Sequence, residues 1–250
     1  MDLFSLYSLS QWLMILLASF IIGMSKAGLK GVDMLSVTLM AIVFGSKSST
    51  GIVLPLLCIA DIAAVAYYHR HAQWKHFWKL TPWMVVGILL GVFLGKDMNE
   101  SLFRKVMAII ILVTIVIILW MEYRKSQKVP THPLFVISTG IAAGFTTMLG
   151  NLAGAFSNLY FLAMRMEKND FIGTAAWIFL IMNLFKLPFQ IFFWKNITEQ
   201  SIKTDLVLVP TLALGFWVGL KIVGRIKDEY YRQLIIILTL LGSVIMLVKQ

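Results

Sequence analysis

The stretch "GMSKAGLKGVDM" (residues 23–34) puts three glycines, two lysines and an aspartate between two apolar runs, 9 to 24 before it and 32 to 45 largely after it. Such a break costs little in a water-exposed loop. In hydrocarbon it is expensive, because every backbone N–H and C=O must then find a partner inside the protein. Which of the two this is depends on whether the pattern recurs along the chain.

The 250 residues are 59% hydrophobic and 14% charged, with a mean hydropathy of +0.84, and apolar stretches extend from one end to the other. This composition belongs to an integral membrane protein. The first apolar segment lacks a small-residue cleavage site after it and is read as a retained membrane element. Ten apolar runs bounded by charge can be drawn, at about 9–24, 32–45, 49–68, 80–95, 106–121, 134–149, 152–164, 171–194, 206–223 and 233–248. A helix needs roughly 20 residues to cross the hydrocarbon. The second and seventh runs fall short of that and the first and sixth are marginal, so these four are expected to be broken, tilted or re-entrant.

The net charge of +10 would suggest nucleic acid in a soluble protein, but here Lys and Arg sit mostly in short loops, where topology and anionic headgroups account for them. If all ten runs cross, one side of the membrane holds about twice as many Lys and Arg as the other. The expected location is the cell (inner) membrane, with both termini outside the cytoplasm. Cys58 stands alone in an apolar run and excludes an intrachain disulfide or thiolate cluster. His69, His71 and His76 in "HRHAQWKHFWK" (69–79) are badly spaced for one helix face and lack acidic company, so no metal is expected. With Trp74 and Trp78 interleaved they fit a segment meeting headgroups. No Walker A sequence is present and no cofactor or ATPase partner is implied.

Sliding the chain on itself reveals an internal correspondence. Gly28 falls on Gly150, Gly51 on Gly173 and Asp61 on Asn183, all shifted by 122; Pro82 falls on Pro210, Gly87 on Gly215, Gly91 on Gly219 and Arg104 on Arg232, all shifted by 128. Each half would hold five runs, an odd number, so the second must enter the membrane from the opposite face. The expected organisation is a first transmembrane repeat over 1–121, a polar linker "EYRKSQKVPTHP" over 122–133, and a second repeat over 134–250. The fold class is an all-α polytopic membrane protein built as two inverted five-segment repeats.

In this scheme the opening stretch has a counterpart, "GFTTMLGNLAG" (144–154), and paired glycine-broken segments are the best sequence pointer to a transporter's binding site. Helix N-termini following such breaks offer unpaired N–H groups and a positive dipole end, which suit a small anion. The candidate ligands are Lys26, Gly28, Lys30, Thr146, Thr147, Gly150 and Asn151. Lys26 and Lys30 also fit interfacial anchors whose heads reach the headgroups. Further along, Asn183, Lys186 and Gln190 fall at helical spacings of three and four and form a polar stripe in a greasy run, with Pro188 expected to kink it. Ser48 and Ser49, with Thr50, open the third run and either cap it or line the same cavity. Asp61, in mid-span, must face a cavity or a partner; with Asp33 it is a candidate coupling or gating residue, and an ion pair with Lys186 is the structural alternative.

The loops "GMSKAGLKG" and "GFTTMLGNLAG", with the helices "TGIVLPLLCIAD" and "IGTAAWIFLIMN", resemble the TauE/SafE sulfite-exporter family. The likeness spans essentially the whole chain, although the glycines after Gly28 and Gly150 are thinned by Lys30 and Asn151. The resemblance implies secondary export of sulfite, sulfoacetate or a related organosulfonate, without an ATPase. The expected partners are such an anion and the lipid bilayer, with proton or sodium coupling and a homo-oligomer left open. Two other readings stand beside it: a passive anion channel using the same loops, and a membrane-embedded enzyme, for which the histidines are the sole candidates.

Overall fold

A computed structural model describes residues 7–124 and 132–249. Among these, helix is the only regular structure. The order is α1 (Leu9–Lys26), α2 (Asp33–Phe44), α3 (Ser46–Tyr68), a 3₁₀ turn (His69–His71), α4 (Trp74–Lys96), α5 (Glu100–Arg124), α6 (Pro133–Gly150), α7 (Ala153–Ala163), α8 (Lys168–Pro188), α9 (Glu199–Arg225) and α10 (Asp228–Lys249). The first residues of the expected linker are the last of α5, and 125–131 lie outside the described residues.

Among the described residues, six elements are long and apolar enough to cross a membrane: α1, α3 with its 3₁₀ turn, α4, α6, α8 with the turn that follows it, and α9. Helix α2 has 12 residues and α7 has 11. At 1.5 Å per residue neither reaches much beyond half of a hydrocarbon core about 30 Å thick. By contrast α1 and α6, marginal in sequence, are unbroken helices of 18 residues each. The interruptions fall after them, at 27–32 and at 151–152.

Local chemistry sets the boundaries. Ser8 and Gln11 form a reciprocal capping box at the start of α1. The start of α3 is capped from a distance: the Glu100 carboxylate accepts from the Ser46 N–H at 2.7 Å and the Lys47 N–H at 3.3 Å. Ser48, Ser49 and Thr50 are therefore not its caps. At the end of α8, Pro188 cannot donate to the helical ladder, and the chain widens into a π turn over Phe189–Phe193.

Packing is inside-out relative to a water-soluble bundle. Phe93, Phe192 and Leu206 point outward, while Asp61, Asn183, Lys186 and Gln190 are buried. Two long crossings hold the centre, α1 along α9 and α6 along α4. Both depend on glycine: a Cβ on Gly23 would collide with the Leu212 carbonyl, one on Gly215 with the Phe20 carbonyl, one on Gly144 with the Met84 carbonyl, and one on Gly87 with the Ile141 carbonyl. Backbones approach this closely only where the side chain is missing.

Candidate functional site

The two interruptions meet. Helix α1 ends at Lys26 and the chain turns through Gly28 (φ +122°) and Gly31 (φ +99°) into α2. Helix α6 ends at Gly150 and turns through Asn151, whose φ of 56° lies in the left-handed region that Asn tolerates better than most residues. Between these turns and the middles of α3 and α8 lies a cavity of ≈ 30 Å³, room for about two water molecules. Its wall includes Ser25, Lys26, Lys30 and Asp33 from the first turn, Thr147, Asn151, Ala153 and Gly154 from the second, Leu57 of α3, and Phe179 and Asn183 of α8.

Charge in this wall is arranged in three ways. Lys26 Nζ lies 2.6 Å from Asp61 Oδ1, and Asn183 Nδ2 donates to Asp61 Oδ2 at 2.6 Å, so the aspartate, fully buried, is held from both sides. Behind the wall, Lys186 Nζ donates to the Thr147 carbonyl (3.0 Å), Thr147 Oγ1 (3.0 Å) and Asn151 Oδ1 (2.7 Å). An ammonium has three donors and no acceptor. All three are used, on neutral partners.

Lys30 differs from both. It is 3% exposed and lines the cavity, yet among the described residues its ammonium makes no hydrogen bond or ion pair. Its Nζ stands 5.2 Å from the centroid of Phe179, the same ring that Lys26 approaches at 4.9 Å. A buried cation resting on an aromatic face and facing a cavity is short of a counterion.

The α2 N-terminus offers less than its dipole promises, because Asp33 Oδ1 already accepts the Gly31 N–H at 3.0 Å. The α7 N-terminus is more open. Ala153 and Gly154 are in its first turn, where N–H groups have no acceptor within the helix, and both line the cavity.

The family model described as sulfite exporter TauE/SafE matches residues 15–246, nearly the whole chain. The chain belongs to the TauE/SafE family. It is therefore a multi-pass membrane protein of a transporter family, not of an enzyme family, and the family points to a membrane exporter of sulfite or a related anion. No curated protein and no solved structure gives a significant match.

Several sequence expectations for this TauE/SafE chain need correction. Lys26 and Lys30 do not reach toward headgroups; both are buried at the cavity. Asp61 pairs with Lys26, not with Lys186. Ser48 is exposed and Ser49 bonds back to the Ser46 carbonyl, so neither lines the cavity. Thr50 instead ties α3 to the turn after α6 and to the segment after α8, its carbonyl accepting from Asn151 Nδ2 at 2.9 Å and its hydroxyl from Gln190 Nε2 at 3.3 Å. Gln190 thus braces the end of α8, together with Asn196, and is not in the wall.

Gly28, Gly150 and Thr146 shape the turns without facing the cavity. The Gly28 carbonyl accepts from Tyr231, and Thr146 Oγ1 reaches the carbonyls of Ala143 and Leu152. Sequence reasoning missed Ser25, Leu57, Phe179, Ala153 and Gly154. Three of the five carried a signal: Ser25 and Thr147 stand 122 positions apart, as do Leu57 and Phe179, the offset that relates Asp61 to Asn183.

Proposed function

We propose that this chain exports a small sulfur-containing oxyanion, such as sulfite or an organosulfonate, by secondary transport with alternating access. The observation that carries the reading is Lys30, a buried ammonium without hydrogen bond or ion pair among the described residues, turned into a cavity between two glycine-containing breaks. An anion seated there takes Lys30 as its first ligand, with the α7 N-terminal N–H groups opposite. Thr147 and Asn151 are braced for that role by Lys186. No energy-coupling nucleotide motif exists in the sequence, so the driving force comes from gradients.

The inverted-repeat reading, with 1–121 and 134–250 as the two units, draws support from reciprocal contacts. Gly51 packs on Asn196, just beyond α8, while its counterpart Gly173 packs on Tyr68 and His71, at the end of α3 and just beyond. Gly87 of α4 meets α6 near Phe145, while Gly215 of α9 meets α1 at Phe20. Contacts that recur with partners exchanged are the signature of a two-fold relation. Rocking of one unit against the other would then open the cavity to alternate sides. Orientation rests on the Lys and Arg bias of the loops.

Proteoliposomes loaded with sulfite test the reading. Saturable efflux is expected, with Lys30→Met reducing it at least tenfold. Non-saturating flux would favour a channel, and equally fast efflux from Lys30→Met and from a Lys26→Ala, Lys186→Ala double variant would sink the electrostatic site.

A further inference from the structure

Taking the exporter reading as its basis, we infer that the cavity is built for a singly charged anion and that Asp33 enforces the limit. Charge has to balance in a buried site, where imbalance is costly. Lys26 is cancelled by Asp61 at 2.6 Å. Lys186 has no acidic partner, its three acceptors being a carbonyl, a hydroxyl and an amide oxygen. Lys30 faces the cavity, and so does Asp33. In formal charge, three lysines stand against two aspartates, an excess of one positive charge.

A monovalent anion neutralises the site. A divalent one reverses its sign and brings its second charge toward a wall that already contains a carboxylate, in a region where weak screening makes like charges expensive.

Asp33 is fixed for this purpose rather than drifting near the site. Its Oδ1 is tied to the Gly31 N–H. Its Oδ2 lies against the bare backbone of Gly154, where an added Cβ would come within 2.7 Å. Gly154 therefore makes room for the carboxylate across the meeting point of the two turns. Shifted by 122, Asp33 corresponds to Ala155, so the second turn carries no matching acid. The carboxylate is an asymmetric addition to a paired scaffold, and its chemical effect is to subtract one charge. The substrate class that follows is a sulfonate or hydrogen sulfite, one tetrahedral or pyramidal head with a single negative charge, in preference to dianions of the sulfate type.

Ligand-induced thermal stabilisation of the purified protein in detergent distinguishes the outcomes, titrating sodium methanesulfonate and sodium sulfate at matched ionic strength. Methanesulfonate is expected to bind the wild-type protein at least tenfold more tightly than sulfate. In Asp33→Asn, and in Asp33→Ser should the first variant fail to fold, sulfate affinity should rise at least tenfold while methanesulfonate moves less; this separates charge from shape, since the ligands are unchanged. Sulfate binding the wild type as tightly as methanesulfonate, or a selectivity unaltered in the folded variants, overturns the inference and leaves the exporter reading standing. Failure of methanesulfonate, sulfate and sulfite all to stabilise the wild type overturns the exporter reading itself.

Discussion

Asn183 donates to Asp61 across 2.6 Å although the two are separated by 122 positions, the same offset that sets Gly28 upon Gly150 and Gly51 upon Gly173. In an object with two-fold symmetry, a residue touches its own counterpart only on the axis. The contact therefore supports an axis running beside the cavity, between the middles of α3 and α8. A carboxylate facing a neutral amide can bond, where two carboxylates would repel. The freed charge of Asp61 is then available to Lys26.

This makes Asp61 and Lys26 a coupled pair whose halves should not be removed separately. Asp61→Asn leaves the Lys26 ammonium buried without a counterion and should cost about 3–5 kcal/mol, the usual penalty for breaking a buried pair. Adding Lys26→Met removes the stranded charge and should recover a large part of that loss. Thermal unfolding of the detergent-solubilised single and double variants gives the coupling directly. A double variant less stable than Asp61→Asn alone would show that the pair is not the reason Asp61 is tolerated in the membrane.

The glycine crossings predict matched damage in the two halves. Gly23→Ala and Gly144→Ala each force a Cβ into a facing carbonyl, of Leu212 and Met84 respectively, with backbone rather than a pliable side chain as the obstacle. Overpacking typically costs about 1–3 kcal/mol, and rigid backbone on both sides puts these at the upper end. Gly224, which has open space where a Cβ would go, is the control and should accept alanine with little change. Comparable loss at Gly23 and Gly144 is expected in thermal unfolding; loss at one position only would argue against equivalent roles for α1 and α6.

The all-helical class and the polar stripe of α8 were legible in the sequence because each follows from periodicity and the cost of charge in hydrocarbon. The partners of the charges were not. Lys26, Lys30 and Lys186 are identical as letters, and only tertiary placement makes one a salt-bridge partner, one a saturated donor and one an unpaired cation. Phe179 was passed over because an aromatic in a membrane helix has an ordinary explanation in lipid contact. Its offset from Leu57 would have singled it out. Asp205, where the polar start of α9 gives way to its apolar run, gave no sequence cue that its side chain turns inward.

Asp205 supplies a separate stability test. It is 3% exposed, and neither carboxylate oxygen has a hydrogen-bond partner among the described residues. An unsatisfied buried polar group costs about 1–3 kcal/mol, which an apolar residue of similar volume removes. Asp205→Leu is expected to melt at higher temperature than the wild type. If it does and sulfite efflux falls as well, the acid is retained for function at the expense of stability. A lower melting temperature would mean that Asp205 has a stabilising partner in the folded protein.

Asn151 separates the charge of the site from its architecture. Its amide oxygen accepts from Lys186 at 2.7 Å while its nitrogen donates to the Thr50 carbonyl at 2.9 Å, in a backbone conformation that Gly and Asp also adopt readily. Asn151→Gly deletes both hydrogen bonds and should destabilise by about 1–3 kcal/mol, yet it leaves the formal excess of positive charge in place. Asn151→Asp does the opposite: it retains the Lys186 contact and strengthens it, but a full carboxylate cancels the excess charge. If charge attracts the anion, Asp should lower methanesulfonate affinity at least tenfold and Gly distinctly less, even though Gly is the less stable variant. If the shape of the turn holds the anion, the order reverses, and binding measured on the two folded variants decides between them.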